Sequence, residues 1–194
     1  MKNYFEKLRV SLNDSIDSLD CEAFNALLDD AERTLRAGKK IVASGLGKNV
    51  PICDKFVGTM VSLGLDAAFL HTNSAVHGDL GVVHEGDLVI LLTKSGATAE
   101  SVYLYDHLLV KGANIWLLTF NADSVLGQRV DQKLVIRLDH EGDKWDIVPN
   151  NSTTLNLIVL QALAIQLSER LDVALGDFKV NHPGGHIGVQ LNGE

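Results

Sequence analysis

The sequence predicts an α/β fold: a three-layer αβα sandwich around a five-stranded parallel sheet. Three observations carry this. Short apolar runs at residues 41–44, 67–70, 88–93, 115–120 and 134–138 are too short for ordinary helices, and several are rich in Val and Ile. Their apolar residues are consecutive, as expected of strands covered on both faces. Helical patterns separate them, giving the βαβα alternation of a parallel sheet.

The first forty residues read as two helices, one with Phe5, Leu8, Leu12, Ile16 and Leu19 at three-to-four-residue spacing, the other with Phe24, Leu27, Leu28, Ala31 and Leu35. Asp20 is placed to cap the second and Gly38 to end it. Between strands, a helix over 50–63 carries Pro51 in its first turn and Gly64 at its end, and another over 99–111 is closed by Gly112. A long helix over 153–171 spreads apolar surface over more than one face, so it needs partners on two sides, within the chain or from another subunit. Residues 176–194 show no helical or strand period. With 194 residues, 46% of them hydrophobic, one domain is expected: helices over 1–38, an αβα core over 39–175 and a tail over 176–194.

Composition excludes several functions. Seventeen Lys and Arg against 25 Asp and Glu give a net charge of -8, without the basic footprint of a duplex nucleic-acid binder. Cys21 and Cys53 support neither a disulfide framework nor a thiolate zinc cluster, and Cys53 reads as a core residue. With no secretory leader or membrane span expected, a soluble, cytoplasmic protein is the reading.

Ligands of open parallel sheets bind beyond the carboxyl ends of the strands. After the first strand comes Ser44-Gly45-Leu46-Gly47-Lys48-Asn49, where glycines permit close backbone approach and Lys48 adds a positive charge. Val50 replaces the third glycine of a dinucleotide fingerprint, so that reading is weak. After the third strand, Thr93-Lys94-Ser95-Gly96-Ala97-Thr98-Ala99-Glu100 offers hydroxyls at Thr93, Ser95 and Thr98, together with a helix N-terminus: a phosphate cradle, or simply a helix cap. His71, His77, Glu100, Glu141 and His182 are the further polar candidates, expected in loops or at helix starts. His182 and His186 have the spacing of a helical metal pair, but Pro183-Gly184-Gly185 argues against a helix between them. Ser95 does not lie in the Gly-x-Ser-x-Gly elbow of a serine hydrolase.

Together, Gly45-Leu46-Gly47-Lys48, His77-Gly78-Asp79-Leu80-Gly81, Ser95-Gly96-Ala97-Thr98-Ala99-Glu100, Pro149-Asn150-Asn151-Ser152-Thr153-Thr154 and His182-Pro183-Gly184-Gly185 resemble the sugar-isomerase (SIS) domain, and within it the D-arabinose-5-phosphate isomerase family, over about residues 40–190. The resemblance implies interconversion of D-ribulose 5-phosphate and D-arabinose 5-phosphate through an enediol, on the route to Kdo of lipopolysaccharide or capsule, with no required cofactor. It implies catalytic positions at Glu100, His182, Lys48, His77 and Glu141. Ser44, Gly45, Gly47, His71, Thr93, Ser95 and Thr98 are expected to bind substrate, and His71 is a position for an inhibitory zinc ion. A homotetramer with sites between subunits is expected. The chain departs from the family pattern at Lys94, where asparagine is common, at Ala97, where a glutamate or polar residue is common, and at His186. It also looks like a short form without the paired CBS modules. An isomerase for another sugar phosphate and a non-catalytic sugar-phosphate sensor are the alternatives.

Overall fold

The structure is a computed structural model describing residues 2–192; Met1, Gly193 and Glu194, included in the expected domain and tail, lie outside the described residues. Five parallel strands, β1 (Ile41–Gly45), β2 (Ala67–His71), β3 (Leu88–Thr93), β4 (Asn114–Thr119) and β5 (Lys133–Val135), form one sheet in the order β2-β1-β3-β4-β5. The order reverses between β1 and β3, so their carboxyl ends flank a crevice.

Residue alternation along each strand builds a core on both faces. Ile41, Ala43, Leu88, Ile90 and Leu92 pack with α2 (Cys21–Arg36), α3 (Val50–Ser62) and α6 (Asn151–Arg170). Val42, Val89 and Leu91 pack on the other side with α4 (Ala99–Val110) and α5 (Val125–Arg129). All five β1 and six β3 residues are buried, as their unbroken apolar runs require. Phe56 and Cys53 of α3 are fully buried in the first cluster, and Phe56→Ala would cost about 3–5 kcal/mol. The Asp20 carboxylate accepts from Ala23 N at 2.9 Å, and Gly38 follows α2 at φ +69°.

The long α6 finds its neighbours within the chain, packing on α3, α2 and α1 (Lys2–Asp17). Two expectations are corrected. His71 is the last residue of β2 rather than a loop residue. The C-terminal segment is not irregular: α7 (Leu175–Val180) and α8 (Gly185–Asn192) flank the His182-Pro183-Gly184 break. No apolar period announces these helices, because they are short and expose Leu175, Val180 and Val189. No helix among the described residues is long and apolar enough to cross a membrane.

Candidate active site

A cavity of about 290 Å³ opens at the β1/β3 crevice. Its walls are the turn after β1 (Leu46, Gly47, Lys48, Asn49), the turn after β3 (Thr93, Lys94, Ser95, Thr98) and the start of α6 (Ser152, Thr153). Gly47 has φ +59°, and Gly96 has φ +62°. A Cβ on Gly96 would stand 1.9 Å from Ser124 Oγ, so only glycine lets the β3 turn close against the α5 cap. Thr93 Oγ1 accepts from Gly96 N at 3.2 Å, Ser95 Oγ accepts from Ala97 N at 3.3 Å, and Ser95 and Thr98 hydroxyls lie 3.3 Å apart. Thr98 is the N-cap residue of α4 but makes no side-chain cap bond, so its hydroxyl is not spent on capping. Ser44 is buried in β1, with Oγ 3.2 Å from Thr72 Oγ1, and Gly45 approaches Asn49 closely enough that a Cβ would meet Asn49 Cβ at 2.8 Å.

Glu141 is fully buried beside this cavity, at the N-terminus of α6. Its Oε2 accepts from Asn150 N and Ser152 N, both at 3.0 Å, while Oε1 takes Ser152 Oγ at 2.6 Å and Lys94 Nζ at 2.6 Å. Burial alone would raise the carboxyl pKa, but Lys94, the Ser152 hydroxyl and the two N–H groups overcome it and hold the group below its ordinary value. Glu141 is therefore a fixed carboxylate at neutral pH, suited to orienting a cation and not to giving up a proton.

The remaining candidates divide. Lys48, Gly47, Thr93, Ser95 and Thr98 line the cavity. Glu100, exposed in the first turn of α4, and His77, exposed in the 3-10 turn Ala75–His77, belong to the same sheet edge but not to the cavity wall. His71 accepts from Asn73 N through Nδ1 at 3.2 Å, leaving Nε2 for a ligand. Among the described residues no group of three or more His, Cys, Asp or Glu could hold a metal. His182 lies elsewhere. Its Nε2 is 3.2 Å from Ser62 Oγ and its Nδ1 2.8 Å from Phe178 O. Ser62 ends α3, about 20 Å along the helix from Lys48, at the opposite sheet edge. Among the described residues, then, no residue of the expected active-site tail lines the cavity.

Sequence reasoning gave no role to Ser152, which clamps Glu141, or to Ser101, whose Oγ is buried at the cavity wall without a hydrogen-bond partner among the described residues. A larger cleft of about 570 Å³ between α1 and the 140–144 loop contains none of the expected catalytic or substrate-binding residues; the crevice position and the glycine turns favour the smaller cavity. Burial pushes the Cys53 thiol up to about 12, which leaves it inert as a nucleophile.

A family model for the SIS domain matches residues 34–166. The chain belongs to the SIS-domain family. Arabinose 5-phosphate isomerase KdsD of Pseudomonas aeruginosa is 32% identical over 178 residues, covering 92% of this chain and 55% of that protein. Arabinose 5-phosphate isomerase KpsF of Escherichia coli is 34% identical over 151 residues, covering 78% of this chain and 48% of that protein. The chain thus spans about half the length of these curated relatives. A solved structure of an Escherichia coli protein in complex with arabinose 5-phosphate matches with a TM-score of 0.86 and 32% identity over 94% of this chain and 95% of that one. The SIS match places the β1/β3 crevice and both glycine turns inside the family's defining segment.

Proposed function

We propose that this SIS domain is an aldose–ketose isomerase that interconverts D-ribulose 5-phosphate and D-arabinose 5-phosphate, supplying Kdo for lipopolysaccharide or capsule. The observation that carries the reading is the cavity at the β1/β3 crevice, where Lys48 faces a hydroxyl-lined glycine turn at the N-terminus of α4. The names of the relatives at 32% and 34% identity supply the substrate.

The turn at residues 93–98 anchors the phosphoryl group, which fixes the distance to the reacting carbons. A base takes the proton from C2 of the aldose while the C1 carbonyl oxygen gains one, giving the enediol. Loss of the O2 proton and return of a proton to C1 then yield the ketose. Glu100 is the base in this scheme, Lys48 stabilises the enediolate oxygen, and His77 orients hydroxyls. His182 moves protons between oxygens or opens the cyclic sugar. Because His182 of the same chain lies at the far sheet edge, this role belongs to a homotetramer whose sites form between subunits. Exposed Phe5, Tyr103 and Val110 offer apolar surface for such contacts. Glu141 acts through Lys94 and Ser152 as a positioning residue. The reaction needs no cofactor, and the expected compartment is the cytoplasm.

The test is proton NMR of purified protein with ribulose 5-phosphate in deuterated water, with and without chelator. Formation of arabinose 5-phosphate carrying solvent deuterium at C2, unaffected by chelator, is the expected result. Turnover of a different sugar phosphate from a panel would reassign the substrate, and ligand-induced stabilisation without turnover would make the domain a sensor.

A further inference from the structure

We propose that Lys94 is a substrate-contacting cation that sets the affinity of this site for phosphorylated ligands, its ammonium held at the cavity wall by the buried Glu141 carboxylate. The inference rests on the reading that the cavity receives a sugar phosphate, and it adds a contact and a source of specificity to that reading.

The argument begins with position. Lys94 sits inside the cradle, between Thr93 at the end of β3 and Ser95, and lines the cavity on which Lys48 also borders. Its side chain is 45% exposed while Glu141 is fully buried, so the ion pair bridges from the protein interior to the open site. An ammonium has three protons to give. Among the described residues Lys94 Nζ has one partner, Glu141 Oε1 at 2.6 Å, which leaves donors for a ligand.

Glu141, by contrast, has little need of the lysine for hydrogen bonding. Ser152 N, Ser152 Oγ and Asn150 N already occupy most of its acceptor capacity, and it stands at the positive end of the 20-residue α6. The pairing also pins a flexible side chain before ligand arrives, which lowers the ordering cost of binding. Beside Lys48, the remaining Lys94 ammonium protons add charge-assisted hydrogen-bond donors for the oxygens of a phosphate monoester.

The experiment is isothermal titration of the full chain with inorganic phosphate and with arabinose 5-phosphate, alongside thermal melting and steady-state kinetics. The variants are Lys94→Met, Lys94→Gln and Lys94→Arg. Lys94→Gln removes the charge while keeping a donor for Glu141, so it serves if Lys94→Met does not fold. Expected is a loss of roughly tenfold or more in affinity for both ligands in the neutral variants, with kcat within a few-fold of wild type and Lys94→Arg near wild-type affinity. A folded neutral variant with unchanged phosphate affinity and a lower melting temperature would overturn the proposal, reducing Lys94 to a counter-ion of Glu141. A fall in kcat at unchanged affinity would overturn it too, placing Lys94 at the reacting carbons. Lys94-dependent phosphate binding in a chain without isomerase activity would sink the proposed reaction and leave this contact standing.

Discussion

The two ends of the β3 region each carry a buried carboxylate gripped by a lysine, and they differ in what the lysine does next. Asp87, just before β3, is 1% exposed and accepts from Lys40 N at 3.1 Å, His84 N at 2.8 Å and Lys40 Nζ at 2.9 Å. Lys40 Nζ also lies 3.0 Å from His84 Nδ1, and its side chain is only 19% exposed. That knot is closed on itself and ties the turn before β3 to the start of β1. Glu141, beyond the other end of β3, has a similar donor set, but its lysine is half-exposed and lines a cavity. The chemistry of a buried ion pair thus does not by itself mark a site; a partner with donors left over beside a cavity does.

The largest effect that tests this division is on turnover. Glu100→Gln should lower kcat by about 100-fold or more, with a matching loss of solvent deuterium exchange and an unchanged melting temperature, because Glu100 is exposed. Asp87→Asn should leave kcat of the folded protein within a few-fold. Near-wild-type exchange in Glu100→Gln would remove that residue as the base.

Next comes stability. Removing either carboxylate leaves a lysine and two backbone N–H groups without their partner, and Glu141→Ala and Asp87→Ala should each cost on the order of 3 kcal/mol in urea unfolding. Only the Glu141 change should also weaken phosphate binding. Equal binding losses in both would show that the two knots are not functionally distinct.

A smaller contrast uses two positive-φ glycines at opposite sheet edges. Gly96→Ala places its Cβ on Ser124 Oγ and distorts the cradle, whereas Gly86→Ala, at φ +81°, meets nothing closer than Lys39 Cε at 3.5 Å. Gly86→Ala should cost about 1 kcal/mol of backbone strain and spare phosphate binding. Gly96→Ala should cost more and abolish measurable binding by titration.

The sequence disclosed the layers readily, because strands buried on both faces must be apolar at every position, and β1 and β3 are. It disclosed the cradle because Gly47 and Gly96 at positive φ, with hydroxyls beside them, are local features. The Glu141 knot was less legible. Its partners Lys94 and Ser152 meet it only because α6 starts beside the turn after β3, and no spacing rule encodes that meeting. The tail was least legible, since Pro183 and the neighbouring glycines interrupt two short helices that bury little of their surface.

The smallest effect is in acid. Both carboxyls are held below their ordinary values of 4.5 for Glu141 and 3.8 for Asp87: burial opposes this, and the lysine and the N–H groups overcome it. A folded pKa below the unfolded one means stability that is complete above the unfolded value and lost as pH falls through the folded one. Each group then contributes at most about 1.4 kcal/mol per pH unit to the acid slope. Glu141→Gln should flatten the stability profile from about pH 4.5 downward, and Asp87→Asn only from about pH 3.8 downward, both read by urea unfolding at stepped pH. Saturating phosphate should leave the Asp87-dependent slope in place, since that knot touches no ligand. A change in the Asp87-dependent slope with phosphate would couple the two ends of β3 and erase the distinction between a closed knot and an open one.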